Sequence, residues 1–150
     1  MEIERKFLPK TLPEDLESYP HHQIVQGYLS TNPVVRIRRQ DDVYILTYKG
    51  KGAMVREEYN LPLTQEAFEH MLPKVDGRLI EKTRYEIPYE EKYTIELDVF
   101  HGVLAPLILA EVEFSSEKEA KAFTPPKWLG EDVTFVPFYH NSYLSKGGKI

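Results

Sequence analysis

The chain has 150 residues, of which 41% are hydrophobic and 12% aromatic, and this composition is typical of one folded domain that buries its own core. It contains no cysteine, which excludes disulfides, thiolate metal sites and cysteine nucleophiles. The net charge of −5 argues against a general nucleic-acid binder, and the lack of a long apolar run argues against a membrane span, so we expect a cytoplasmic protein.

Most of the chain is predicted to form strands, because short apolar runs alternate with polar residues and end at turn residues. The predicted strands are residues 1–9, 21–30, 34–39, 43–49, 54–63, 79–87, 93–100, 107–114 and 132–135. Asn32 and Pro33 mark a turn, and residues 40–42 form the turn of a hairpin although they lack the usual glycine. Residues 9–20 are predicted to be a loop with at most a short helix.

Helices are predicted at a few places between the strands. Thr64 can cap one of about two turns, and Ser116 with Glu119 forms a capping box for another. Residues 138–144 are predicted as a final short helix and residues 146–150 as a loose tail. Because strands and helices do not alternate strictly, the pattern favours an antiparallel α+β domain whose strands form a sandwich or close into a barrel.

Most of the predicted strands carry charged residues on one face. In the first strand, successive side chains point to opposite sides, so Glu2, Glu4 and Lys6 share a face. The same rule applied to the other strands collects seven basic residues, Lys6, Arg36, Arg38, Lys49, Arg56, Lys82 and Arg84. It also collects seven acidic residues, Glu2, Glu4, Glu58, Glu96, Asp98, Glu111 and Glu113.

A solvated sheet is the simplest explanation of such alternation in any single strand. Over six or seven strands this explanation weakens, because a solvent face normally mixes in uncharged polar residues. Like charges two residues apart repel one another unless ions of opposite sign lie between them. A face that carries both kinds of pair therefore favours a polyanion bound together with a divalent metal. In a closed barrel, these ligands would offset the cost of desolvating the charges.

The residue types indicate phosphate chemistry. Clustered carboxylates favour a hard cation such as Mg²⁺ or Mn²⁺, while Arg grips phosphate bidentately and Lys acts as a point charge. Phosphoryl transfer needs little beyond positioning and charge neutralisation, and a water on a metal could attack in line. The five histidines, His140 among them, show no metal-ligand spacing and are expected on the surface.

Short motifs occur in a fixed order along the chain. After Glu-x-Glu-x-Lys at residues 2–6 come Gln26-Gly27-Tyr28-Leu29, Arg36-Ile37-Arg38, Leu46-Thr47-Tyr48-Lys49, Arg56-Glu57-Glu58-Tyr59, Glu81-Lys82-Thr83-Arg84-Tyr85, Ile95-Glu96-Leu97-Asp98-Val99-Phe100, Ala110-Glu111-Val112-Glu113 and Asn141-Ser142-Tyr143-Leu144. Together they resemble the CYTH superfamily, also called triphosphate tunnel metalloenzymes. The resemblance covers nearly the whole chain.

The resemblance implies a single tunnel domain over residues 1–150, built as an eight-stranded closed antiparallel β-barrel with a few flanking helices. It implies that one or two Mg²⁺ or Mn²⁺ ions are held by Glu2, Glu4, Glu58, Asp98, Glu111 and Glu113. It implies that phosphates are bound by Lys6, Arg36, Arg38, Lys49, Arg56, Lys82 and Arg84. The residues expected to carry catalysis are Glu2, Glu4, Lys6, Lys82 and Glu113.

The reaction that the resemblance implies is hydrolysis of a small triphosphate, most simply inorganic tripolyphosphate, by in-line attack of a metal-activated water. A class IV-type adenylyl cyclase or a thiamine triphosphatase on the same fold is an alternative. Another is a non-catalytic module that binds polyphosphate or a nucleotide, and the plainest is a structural domain with a solvated charged sheet. Asn60 stands where the family often has a second acidic residue, so the number of metals is left open, as is a homodimer.

Overall fold

Ten strands form one antiparallel sheet in the structure, a computed structural model that describes residues 1–146. The strands are β1 (Glu2–Pro9), β2 (His21–Thr31), β3 (Val34–Gln40), β4 (Val43–Lys49), β5 (Val55–Arg56), β6 (Glu58–Pro62), β7 (Asp76–Tyr89), β8 (Tyr93–Phe100), β9 (Ile108–Glu113) and β10 (Leu129–Asp132). The α-helices are α1 (Gln65–Met71), α2 (Glu117–Ala122) and α3 (Asn141–Leu144). No helix in this part of the chain has the length and apolar composition that a membrane crossing requires.

The sheet curves round into a barrel with eight strand positions. Its hydrogen-bonded order is β10-β1-β9-β8-β7-β2-β3-β4-β6, and β5 closes the ring by pairing with β1. β5 and β6 are one stretch of chain interrupted at Glu57, so its two parts reach β1 and β4 respectively. β10 pairs with the C-terminal end of β1, at Phe7 and Pro9, beyond the two residues that pair with β5. This topology confirms the antiparallel barrel expected from the sequence.

Strand register brings the charged residues of neighbouring strands side by side. Glu4 of β1 lies opposite Glu113 of β9, and Arg84 of β7 lies opposite Asp98 of β8. Residues that face each other in an antiparallel pair point to the same side of the sheet. The ionic faces predicted for separate strands therefore form one continuous surface, which lines the inside of the barrel.

The main apolar core lies outside the barrel, on the outer face of β1, β7, β8 and β9. α2 packs against β1 there, capped at its start by the hydroxyl of Ser116, which accepts the Glu119 N–H as predicted. Phe123 follows α2, and its ring lies 6.2 Å from the ring of Phe7 and 5.1 Å from that of Phe114. The aromatic cluster leaves the inner face free for charged residues.

α3 closes one end of the barrel. Leu144 is fully buried in a second apolar cluster that includes Ile80 and Phe100. The Nε of Arg78 donates to the carbonyl of Leu144 at 2.9 Å, and the backbone N–H of Arg78 donates to the carbonyl of Ser145 at 2.7 Å. The C-terminal segment is thus held on β7 by the burial of Leu144 and by hydrogen bonds from Arg78 to the carbonyls of Leu144 and Ser145.

Two predicted elements near the C-terminus differ from the structure. The strand predicted at residues 132–135 is wrong, because β10 ends at Asp132, whose carboxylate accepts the N–H of Thr134 and turns the chain. The helix predicted at residues 138–144 is a 3₁₀ turn at Pro137–Tyr139 followed by α3. Apart from Lys146, the predicted loose tail lies outside the described residues.

The seat of α3 can be tested at Gly77. Its φ is +66°, and a Cβ placed there would lie 2.1 Å from the carbonyl oxygen of Ser145. Gly102 is a matched control, because its φ is +65° and a Cβ would meet nothing within 4 Å. We expect Gly102→Ala to lower the free energy of unfolding in urea by about 1 kcal/mol through backbone strain alone, and Gly77→Ala by about 3 kcal/mol. Equal losses would contradict this seating.

Candidate active site

The inner face of the barrel encloses a cavity of about 230 Å³. The charged residues that line it are Glu2, Glu4, Lys6, Arg36, Arg38, Lys49, Arg56, Glu58, Arg84, Glu96, Glu111 and Glu113. Lys82 and Asp98, which the sequence also places on this face, are buried beside Arg84 and do not line the cavity. The predicted site residues therefore lie close together. Lys82 and Asp98 lie behind the wall of the cavity, which the lining residues form.

Three arginines of the cavity, Arg36, Arg38 and Arg56, form no ion pair with any carboxylate of residues 1–146. Neutral oxygens hold the first two instead. A terminal nitrogen of Arg36 donates to the Thr47 hydroxyl at 3.2 Å, and the Nε of Arg38 donates to the side-chain oxygen of Gln26 at 2.8 Å. A guanidinium held by neutral groups keeps its full charge for an anion.

The charge of these arginines is uncompensated. Burial, and then the nearby guanidinium groups of Arg36 and Arg84, lower the pKa of Arg38 from 12.5 to about 9, so it stays protonated at neutral pH. The Nε of Arg36 and the amide nitrogen of Gln26 are buried donors without an acceptor in the described chain. Each such donor costs about 1–3 kcal/mol. An anion at this place would remove both the repulsion and part of that cost.

Other residues of the cavity are carboxylates whose ionised form is disfavoured by burial. Burial, and then repulsion by Glu111, raises the pKa of Glu4 to about 7. Burial also raises the pKa of Glu2, although the ammonium of Lys49 lies 3.0 Å away and opposes it. Burial and the charge of Glu2 raise the pKa of Glu113. In each of these carboxylates, burial raises the pKa more than the nearby cations lower it, so a further positive charge would be favourable here.

These carboxylates fit a hard divalent cation. Mg²⁺ and Mn²⁺ prefer oxygen ligands, and a doubly charged ion would offset both the burial and the repulsion between carboxylates that raise the pKa of Glu2, Glu4 and Glu113. Within residues 1–146, no three Asp, Glu or His side chains lie close enough together to form a ready metal site. The ligands would therefore converge on the ion as it binds.

Asp98 is fully buried between two cations. Its Oδ2 lies 2.7 Å from the Nζ of Lys82, and Arg84 donates to Oδ1 at 2.7 Å and to Oδ2 at 2.9 Å. Although burial alone would raise the pKa of Asp98, the charges of Arg84 and Lys82 lower it. Both oxygens orient cations of the wall, and metal ligation by Asp98 stays a prediction.

Lys6 and Glu111 form a second buried ion pair. The Nζ of Lys6 lies 2.7 Å from Oε1 of Glu111 and 3.7 Å from Oε1 of Glu4. Burial alone would lower the pKa of Lys6, but Glu111 and Glu4 raise it. Burial would likewise raise the pKa of Glu111, yet Lys6 and Arg84 hold it well below its usual range. Lys6 is therefore a permanent cation beside Glu4, whose pKa is raised by burial.

Asn60, where the family resemblance leads us to expect an acidic residue, lines the cavity. Its side-chain oxygen accepts the Thr47 hydroxyl at 2.6 Å, and its nitrogen donates to Glu58 at 3.4 Å. The ammonium of Lys49 lies 3.6 Å from the same Glu58 carboxylate. On this side of the cavity, Glu58 is the carboxylate that a metal could bind, and its neighbours Asn60 and Lys49 are neutral and positive.

The C-terminal segment supplies lining residues that sequence reasoning missed. His140, Asn141 and Ser142 all line the cavity, so the surface position expected for His140 is wrong. The Nε2 of His140 lies 3.0 Å from the Thr134 carbonyl, and the Asn141 side-chain oxygen accepts a hydrogen bond from Lys82 at 3.3 Å. A helix of four residues is too short for hydrophobic periodicity to orient it. The Asn141-Ser142-Tyr143-Leu144 motif was the only signal.

Comparison with known proteins gives a consistent result. The model of the family described as the CYTH domain matches residues 1–147. An inorganic triphosphatase of Nitrosomonas europaea is 44% identical over 148 residues, which are 96% of each chain. An inorganic triphosphatase of Acetivibrio thermocellus is 35% identical over 81% of this chain and 78% of its own. The crystal structure of the inorganic triphosphatase NE1496 superposes with a TM-score of 0.72 at 41% identity, covering 97% of this chain and 95% of that one.

The raised pKa of Glu4 predicts that the metal-free protein loses stability as pH rises. A carboxyl with a higher pKa in the folded state contributes fully below its unfolded value of 4.5, and this contribution is lost as pH rises through about 7. We expect Glu4→Gln, in chelator, to stabilise the protein by about 2 kcal/mol more at pH 8 than at pH 5 in urea titrations.

The control for this titration is Glu91→Gln, which changes an exposed glutamate in a turn and should show no such difference. A stabilisation by Glu4→Gln that is the same at both pH values would contradict the assignment.

The burial of Asp98 predicts a structural role that needs no metal. Asp98→Asn leaves Lys82 and Arg84 buried without their carboxylate, so we expect the free energy of unfolding in chelator to fall by about 3 kcal/mol or more. Glu113→Gln changes an exposed carboxylate of the same cavity and should cost less than about 1 kcal/mol. If Asp98→Asn is as stable as wild type in chelator but no longer gains stability from added Mn²⁺, the residue acts as a metal ligand instead.

Proposed function

The chain belongs to the CYTH domain family, and on that premise we propose that the protein is an inorganic triphosphatase that hydrolyses a phosphoanhydride bond of tripolyphosphate. One observation carries the proposal. Arg36, Arg38 and Arg56, which form no ion pair in residues 1–146, share one cavity with carboxylates whose pKa is raised by burial. A triphosphate bound with a divalent metal supplies the missing partner of each group. The two relatives named inorganic triphosphatases support this reading.

The size and lining of the cavity favour a bare triphosphate over a nucleotide. Its volume of about 230 Å³ lies below the roughly 300–1,000 Å³ of pockets that enclose drug-sized ligands. Among the described lining residues, Tyr28 is the single Phe, Tyr or Trp, so there is little surface on which a base could stack. A sugar and base would have to remain outside the cavity.

We assign the substrate chiefly to the basic residues that line the cavity. Arg36, Arg38 and Arg56 bind phosphate oxygens directly, since no carboxylate competes for them. Lys6 and Arg84 add charge from within their ion pairs. Such a set of fixed cations stabilises the negative charge of the phosphoryl-transfer transition state without reorganising.

We assign the metal to the carboxylates that line the cavity, Glu2, Glu4, Glu58, Glu111 and Glu113. A divalent ion bound there would neutralise phosphate oxygens and activate a water for in-line attack. Asp98 and Lys82 act from behind the wall, where they set the position of Arg84. The choice between Mg²⁺ and Mn²⁺, a cytoplasmic location, the single domain and the oligomeric state stay predictions from the sequence.

The proposal predicts metal-dependent release of orthophosphate from tripolyphosphate. We expect turnover with Mg²⁺ or Mn²⁺, its loss in EDTA and its return with excess metal. Glu113→Gln should lower kcat by about 10²-fold or more, because it removes one charge that holds the metal. Glu117→Gln, on an exposed turn of α2, is the matched control and should behave as wild type.

Other outcomes of this assay would replace the proposal. Full activity in EDTA, or in folded Glu113→Gln, would contradict metal-dependent hydrolysis. Cyclic AMP formed from ATP at a higher kcat/KM than orthophosphate from tripolyphosphate would indicate a cyclase. Tight binding of tripolyphosphate in calorimetry with no turnover over hours would indicate a binding module.

A further inference from the structure

Gln26 is an uncharged residue embedded in the charged inner face. It lies on β2 directly opposite Arg38 of β3, and its side chain is fully buried. The Nε of Arg38 donates to its side-chain oxygen at 2.8 Å. Because an arginine nitrogen can only donate, the amide oxygen must face Arg38, and the orientation of the amide follows. Its nitrogen then points elsewhere and has no acceptor within residues 1–146.

The Gln26 contact leaves the terminal nitrogens of Arg38 available. Binding at Nε fixes the plane of the guanidinium, while its outer fork stays open for a bidentate contact with phosphate. Arg84 shows the other way to fix an arginine in the same barrel, since both its Nε and a terminal nitrogen bind the carboxylate of Asp98. That carboxylate compensates the charge of Arg84, whereas the amide of Gln26 leaves the charge of Arg38 intact.

The Gln26 side chain is poorly explained by stability. A buried amide nitrogen without an acceptor is unfavourable, and an apolar side chain of similar size would avoid it. Residues that break a rule of stable packing in this way are concentrated at functional sites.

We infer that Gln26 is a positioning residue for the triphosphate: it orients the Arg38 guanidinium toward the bound phosphate without neutralising it. The inference deepens the proposed function and rests on it. It assigns Gln26 an effect on substrate affinity that acts through Arg38, with no contact to the reacting atoms.

A double-mutant cycle tests this coupling. Gln26→Leu should raise the KM for tripolyphosphate about tenfold and leave kcat within about threefold, because the lost contact orders a binding group. Its melting temperature should stay close to that of wild type, because the substitution removes one unsatisfied buried donor, the Gln26 amide nitrogen, and creates another, the Arg38 Nε. Arg38→Lys has no Nε to be held, so adding Gln26→Leu to Arg38→Lys should change KM by less than about twofold.

Gln26→Glu separates geometry from charge. It keeps an acceptor for Arg38 but adds a carboxylate that neutralises it, so we expect KM to rise at least as much as in Gln26→Leu, with a higher melting temperature. If Gln26→Leu fails to fold, this variant and Gln26→Met carry the test. An unchanged KM in a folded variant, or an equal rise of KM with and without Arg38→Lys, would overturn the inference.

The same cycle measured as binding keeps the two claims apart. Calorimetry with tripolyphosphate in EDTA gives Kd values for all four proteins without any turnover. If wild type binds in this calorimetry but does not hydrolyse tripolyphosphate when Mg²⁺ or Mn²⁺ is supplied, the proposed function fails while the cycle in Kd still decides the role of Gln26. If wild type hydrolyses and the cycle shows no coupling, only the inference about Gln26 fails.

Discussion

The constraint on which the structure depends is the confinement of like charges inside a closed sheet. An open sheet could turn its ionic face to water, but here β5 pairs with β1 and the face becomes a wall. The charges must then be compensated within the protein or by something that enters. Lys6 with Glu111, and Asp98 with its two cations, are compensated within the protein. Lys49 pairs with Glu2 as well, so the site is marked chiefly by the three arginines without a carboxylate partner and by the carboxylates whose pKa is raised by burial.

The division between compensated and uncompensated charges follows from register. Strand pairing sets Lys6 opposite Glu111, so these two neutralise each other at 2.7 Å. It sets Arg38 opposite an uncharged residue, Gln26, so that guanidinium keeps its charge. Both arrangements use the same alternation of side chains. A shift of one residue in either pair would turn the charged residues to the outside. The electrostatics of the cavity is therefore a property of the fold as much as of composition.

The same distinction explains what the sequence could and could not predict. Alternation belongs to each strand by itself, so the inward set was predictable residue by residue. The sequence of one strand does not show which residues of the neighbouring strands it will contact. Asp98 therefore resembled any other acidic residue until the structure placed Lys82 and Arg84 beside it. Gln26 carries no charge, so the charge pattern did not mark it, although it stands in the Gln26-Gly27-Tyr28-Leu29 motif. His140 lies in a segment too short for periodicity, and the end of β10 depends on a local bond from Thr134 that pattern reasoning did not weigh.

Lys6 connects the two halves of the site. Its ammonium pairs with Glu111 and lies 3.7 Å from Glu4. Glu4 is the carboxylate for which burial raises the pKa to about 7. A metal that binds Glu4 competes with Lys6 for that carboxylate and leaves the ammonium more of its charge for phosphate. Phosphate in turn supplies oxygens that complete the coordination of the metal. Because coupling between two ligands is reciprocal, each should raise the affinity of the other by the same factor. The charges that repel one another inside the barrel are thus those that would couple the affinities for metal and triphosphate.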